Sequence, residues 1–188
     1  MKKNSLLILM FMLSFSAKAE QGFDFMYSLG LTFGGDKLAE TTTGSSLKSG
    51  GLFYMSVGTV YSVSPDFQLQ GSIAYHFDSI SADNGSADFD RTSLELIPFY
   101  VIDNDVRVGL GIIKVMSAEY SDPFDKLGFS DSTGLVAQID WRFSRNSWWG
   151  IKYVDLEYDA ETLNGFDVSF SGVTVDGSYF GLMYHGGF

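Results

Sequence analysis

The side chains best equipped for chemistry in this chain are few, and they recur at alternate positions. Ser72, His76 and Asp78 are spaced four and two residues apart, so in an extended strand all three project to one side. A hydroxyl, an imidazole and a carboxylate on one face are the parts of a hydrolase nucleophile system. The plainer expectation is a hydrogen-bonded rim cluster, because the three face the same interior as the strand's other small and polar residues. A second set comprises Arg91, Glu95, Arg107, Asp140, Arg142 and Lys152, accompanied by Gln68, Gln70 and Gln138. Buried charges must be paired or solvated. These residues therefore read as a static salt-bridged core or, alternatively, as a polar constriction whose ion pairs rearrange to pass small solutes. A third set is acidic: Asp78, Asp83, Asp88 and Asp90; Glu119, Asp122, Asp125 and Asp131 against Lys126; and Asp155, Glu157, Asp159, Glu161, Asp167 and Asp176. Hard divalent cations prefer such oxygens, but the spacing is that of a solvated, self-repelling surface and matches no EF-hand loop. His76 and His185 stand too far apart for a zinc site, and the chain has no cysteine. No cofactor, metal or catalytic residue is expected.

The elements that carry these residues show period-two alternation. Phe23, Phe25, Tyr27, Leu29, Leu31 and Phe33 share one face of the first strand; Asp24, Met26, Ser28, Gly30, Thr32 and Gly34 share the other. Further strands are predicted near 51–63, 66–78, 91–102, 105–116, 133–143, 148–158 and 178–188, the seventh slipping phase after Tyr153 as if at a bulge. Short links at Ser64-Pro65, Asp103-Asn104 and 144–147 alternate with long ones at 34–50, 79–90, 117–132 and 159–177. Short periplasmic turns and long extracellular loops mark outer-membrane barrels. The expected fold is all-β, an eight-stranded antiparallel up-and-down transmembrane β-barrel. An even strand number leaves both ends of the barrel on the periplasmic side.

Volume decides which face points outward. An eight-stranded barrel has room inside only for its own side chains, and the bulky face of all eight strands would overfill it. The face of Gly, Ser, Ala and Gln fits within, so the aromatic and aliphatic face meets lipid. Aromatics cluster toward both strand ends: Phe23, Tyr61, Phe67, Tyr100, Phe143, Trp149 and Phe188 at one, Phe33, Phe53, Phe77, Tyr153 and Phe180 at the other. Two interfacial girdles are the expectation.

Residues 1–19 read as a secretory signal peptide. Lys2 and Lys3 precede the apolar run Leu6 to Leu13, and Ala17-Lys18-Ala19 supplies small residues for cleavage before Glu20. The run is too short for a spanning helix of about 20 residues. Residues 20–188 would form the single barrel domain. Twelve basic and 23 acidic residues give a net charge of −11, which excludes nucleic acid as a partner. Cleavage removes three lysines and no acid, making the chain more negative still.

The ending Tyr179 to Phe188 resembles the C-terminal targeting strand of outer-membrane proteins, with Phe180, Leu182 and Tyr184 alternating before a terminal Phe188. Gly186 departs from that pattern at one outward position. With the signal peptide and the eight strands, the whole mature chain resembles the small barrels like the OmpA transmembrane domain, within the porin family. The resemblance implies residence in the cell outer membrane of a Gram-negative bacterium, recognition by the barrel-assembly machinery, and contact with outer-membrane lipids and lipopolysaccharide. It leaves activity open, since that group includes adhesins, structural anchors, narrow pores and lipid A-modifying enzymes. The expected role is structural or surface-interacting rather than enzymatic. The alternation from Phe166 to Val175 suggests a hairpin rising above the membrane, whose edge could add strands from a surface partner.

Overall fold

The computed structural model describes residues 22–41, 44–82, 85–103 and 105–187. The signal peptide expectation, part of the Asp103-Asn104 turn and the terminal Phe188 fall outside them. Eight long strands form the barrel: β1 (Phe23–Gly34), β2 (Phe53–Ser64), β3 (Phe67–Ala82), β4 (Gly85–Asp103), β5 (Val106–Ser121), β6 (Ser132–Ser144), β7 (Ser147–Asp155) and β8 (Tyr179–Gly187). Each pairs antiparallel with its neighbour in the chain, and β8 returns to β1 through Leu29↔Tyr184 and Leu31↔Leu182. Closure satisfies the ladder all round, which a lipid environment demands.

The bulky alternate residues point out. Leu29, Leu31, Val57, Ile73, Leu94, Leu96, Leu110, Ile112, Leu135, Ile151 and Leu182 are all exposed. So contiguous an apolar belt belongs to a membrane-facing wall rather than a soluble monomer. The interior is less uniformly small than the sequence suggests, because Ile97, Phe99 and Met183 are also inside and fully buried. They fit because each lies over glycine. A Cβ at Gly109 would collide with Ile97 and Phe99, and one at Gly30 or Gly181 would collide with Met183.

Beyond the belt the polarity reverses. In β7 and its continuation Glu157–Leu163, Val154, Leu156 and Tyr158 are buried while Asp155, Glu157 and Asp159 are exposed. The alternation therefore runs unbroken past Tyr153. The expected phase slip is a change of solvent: once the wall leaves lipid for water, apolar residues turn in and carboxylates turn out. A bulge lies in β5, where the register shifts at Thr92/Ser93 of β4 and both Met116 and Ser117 face outward, and a further register shift falls at Ala160/Thr162 in the continuation of β7. The expected loop at 79–90 is largely strand, with Ile80↔Ala87 and Asp78↔Phe89 paired across the hairpin. Its outward aspartates disguised it as a solvated loop.

The other long connections are also built. Lys37–Glu40 and Ser46–Lys48 form a hairpin that buries Leu47 in the core. Lys126–Phe129 folds back on β5 and pairs on its other side with Glu157–Leu163, which in turn pairs with Thr174–Asp176. At the opposite end, Gly186 lies across from Tyr27, and a Cβ there would collide with the tyrosine ring. That ring covers the outward position the glycine leaves bare, as aromatics do over strand glycines.

Replacing Leu96 by Arg at mid-belt is expected to cost about 2–4 kcal/mol in denaturant unfolding from lipid vesicles. Asp88→Arg, on the same strand above the reversal, should stay within about 0.5 kcal/mol. Equal costs would contradict the placement of the belt.

Candidate functional site

Period two sends Arg91, Glu95 and Phe99 of β4 inward together, where they meet Arg107 of β5, Asp140 of β6 and Lys152 of β7. Three buried clusters stack along the axis. Nearest the short turns, the Arg107 guanidinium donates from Nε to Asp140 Oδ2 at 2.8 Å, its Nη2 lies 2.8 Å from the same oxygen, and Nη1 and Nη2 donate to Gln68 and Gln70 at 3.1 Å each. Gln138 donates to Asp140 Oδ1 at 2.8 Å. His185 stands 3.4 Å from the same oxygen and bonds Ser28 through Nδ1 at 2.7 Å. Gly150 makes room for this group, since a Cβ there would collide with the Asp140 carboxylate.

At mid-height Lys152 Nζ lies 2.7 Å from Glu95 Oε2, with both side chains wholly buried. Tyr54 donates to the same carboxylate oxygen at 3.0 Å, and Ser72 reaches it at 3.4 Å. Above them sits Arg91, fully buried and, among the described residues, with no carboxylate as a hydrogen-bond partner. Its Nε donates to His76 Nδ1 at 2.9 Å. Its Nη1 donates to the Tyr158 hydroxyl and to the carbonyls of Ser49 (3.3 Å) and Gly177 (3.4 Å). The guanidinium carbon lies 4.7 Å from the Tyr179 ring centroid, a cation–π contact strengthened by exclusion of water. Because His76 Nδ1 accepts from Arg91, Nε2 carries the proton and donates to Thr32 Oγ1 at 2.7 Å; Thr32 donates on to Gly51 O at 3.0 Å.

The hydrolase grouping is not assembled. Both His76 nitrogens are taken by Arg91 and Thr32. Asp78 accepts from the backbone N–H of Ser79 (2.8 Å), and Ser72 turns to Glu95. Of the six charged residues expected inside, five are buried. Arg142 is the correction: it is exposed at the turn end, its guanidinium 4.6 Å from the Trp148 ring centroid. It lies one inward step beyond Asp140, which carries it to the rim. In the C-terminal strand Phe180 and Leu182 are exposed and Tyr184 is half-buried. Sequence reasoning missed Tyr54, Thr32 and His185 as network members. Their parity with Ser56, Ser28 and Met183 was the available signal.

No protein-family model matches the chain, and no curated protein matches it in sequence. Solved structures do match. Ail, the attachment invasion locus protein of Yersinia pestis, in complex with the heparin analogue sucrose octasulfate, superposes with a TM-score of 0.56 at 15% identity, covering 89% of this chain and 99% of that one. The outer membrane protein AlkL in lipid bilayers gives 0.52 at 15%, over 92% and 93%. Neisserial surface protein A gives 0.50 at 13%, over 89% and 98%. The fold is that of the small eight-stranded outer-membrane barrels.

Above the three clusters the barrel is filled by Phe89, Phe129, Tyr158, Val115 and Leu156, with Leu47 delivered by the first hairpin. Phe129 and Tyr158 ring centroids lie 5.5 Å apart. Arg91 ties both the first and last long connections to the wall through Ser49 and Gly177. The interior thus does two things: it pairs charge, and it packs apolar side chains at the loop end.

Breaking the mid-height pair should be costly. Lys152→Ala leaves Glu95 buried alone, with an expected loss of about 3–5 kcal/mol in vesicle unfolding. Lys152→Met combined with Glu95→Gln should recover most of it. A double variant as weak as the single would count against the pairing as the cause.

Proposed function

We propose that this is an outer-membrane protein that acts through its loop end, as a surface-interaction barrel of adhesin-like type and not an enzyme. The observation that carries the reading is an aromatic crest on an ordered base. Phe124, Phe166 and Phe170 are 79%, 76% and 86% exposed. They sit on connections joined by Lys126 N–H to Asn164 Oδ1 (2.8 Å) and Asn164 Nδ2 to Asp125 Oδ1 (3.0 Å). Apolar side chains held so openly on a fixed scaffold suit a partner that covers them. The turn beneath Phe124 is fixed by Asp122, which accepts the N–H groups of Phe124 and Asp125 and the Tyr120 hydroxyl. Those bonds hold its carboxyl below the usual range, so their contribution is present at neutral pH and fades only in acid.

The wall below the crest is acidic, with Asp155, Glu157, Asp159 and Glu161 facing out. Lys126 offsets Glu119 at 2.9 Å, and Lys114 stands 3.4 Å from Asp131. Ail carries a polyanionic heparin analogue; carboxylates here would repel one. The partner that fits is cationic with an apolar face, and the attraction should weaken with salt. Outer-membrane lipids, lipopolysaccharide and the barrel-assembly machinery are the further partners in this reading.

A second reading, a narrow pore, draws on one observation. Glu95 Oε1, Gln138 Oε1, Ser56 Oγ and Tyr179 Oη are buried along the axis without a hydrogen-bond partner among the described residues. The apolar packing at the loop end and the paired charges favour the first reading.

The discriminating measurement uses the barrel in lipid nanodiscs and a Lys/Leu amphipathic peptide as probe, with empty discs as blank. Phe166→Ser with Phe170→Ser should weaken binding about tenfold, or roughly 1.4 kcal/mol. Undiminished binding sinks the crest as the contact. Discrete conductance in planar bilayers, altered by Glu95→Gln, would install the pore instead. A lipid A mass change abolished by His76→Ala would install an enzyme.

A further inference from the structure

The turn end of the lumen opens into a cavity of about 190 Å3, whose charged lining is Arg107, Arg142, Arg145 and Asp24, with Trp148 and His185. We infer that this vestibule binds an oxyanion group of the phosphate class. The inference is independent of the loop-end reading.

The arrangement of the arginines is the first argument. Arg107 is almost completely buried at the back of the cavity, and its charge is matched by Asp140. Arg107 and Arg142 both stack on Trp148, their guanidinium carbons 5.0 and 4.6 Å from the ring centroid. Two like charges are thereby held on one indole. Neither Arg142 nor Arg145 takes part in any ion pair among the described residues. The chain has 23 acidic residues, and the buried cations Arg91, Arg107 and Lys152 each have a built set of partners. Guanidinium forks suit phosphate and carboxylate oxygens, which they grip through two parallel bonds.

The acids nearby set the character of the site. Among the described residues Asp24 is the single carboxylate in the lining, and it limits the excess of positive charge. Asp103 is engaged by the N–H groups of Asp105 and Val106, capping its own turn at 2.8 and 2.9 Å. Asp66 and Asp105 also lie at this end on turns, outside the lining. Attraction is therefore local to the cavity and needs direct contact. Gly186 and Gly187 line one wall through backbone alone. At about 30 Å3 per water the volume equals roughly six waters, room for a phosphate group and part of its substituent. Two sources share this chemistry: a phospholipid headgroup folding round the rim, or a soluble phosphate-bearing molecule.

The test uses the whole barrel in neutral maltoside micelles, with Trp141→Phe and Trp149→Phe leaving Trp148 as sole tryptophan. Inorganic phosphate, titrated at constant ionic strength against chloride, should change Trp148 emission saturably. Arg142→Gln and Arg145→Gln, both exposed and outside the buried pairs, should each weaken it about tenfold, and Asp24→Asn should tighten it. Heat-dependent electrophoretic mobility verifies that each variant is folded. Repeating the titration in phosphatidylglycerol nanodiscs separates the sources. A lost response there identifies a headgroup already in place; an equal response identifies a soluble ligand. Chloride matching phosphate, or arginine variants that leave the response unchanged, would overturn the site.

Discussion

Closure of the ladder is the constraint on which everything else rests. A sheet in lipid has no water to satisfy an open edge, so β8 must return to β1. Eight strands then enclose a space that only side chains can fill. Every inward residue becomes part of a close-packed axis, and every charge placed there needs a partner within reach. The Arg107–Asp140 and Lys152–Glu95 pairs follow from that confinement, as do the glycines opposite Phe99, Ile97 and Met183.

Arg91 shows what the confinement allows when no carboxylate among the described residues is within hydrogen-bonding reach. Its charge is spread over an imidazole nitrogen, a phenol, two backbone carbonyls and the face of Tyr179. Those partners come from four separate stretches of chain, so one side chain fastens the first and last long connections to the wall. The result is a loop end that behaves as a small water-soluble barrel continued from the transmembrane one. Its apolar side chains face in and its carboxylates face out, with an aromatic crest at the tip.

The likeness to Ail, AlkL and Neisserial surface protein A lies in this framework and not in the side chains, at 13–15% identity. Such a barrel tolerates nearly any outward apolar residue and any loop that can be anchored. Water, rather than lipid, meets the protein at the two ends, and both proposed contacts lie there. The acidic, aromatic-tipped loop end and the arginine-lined cavity at the turn end differ in charge.

Period two alone determined the eight strands, their faces and the inward set of Arg91, Glu95, Arg107, Asp140 and Lys152, because alternation is a local property of an extended chain. Polarity misled it where the solvent changed: Asp155 to Asp159 looked like a slipped phase, and Asp88 and Asp90 looked like a loop. Only the tertiary structure decided which charges meet. Pairing depends on register between strands distant in sequence, as when Lys152 finds Glu95 or His185 finds Asp140. It also decided that Arg142, in phase with the interior, lies past the end of it, since a strand's parity says which side a residue faces and nothing of how far along the axis the barrel extends.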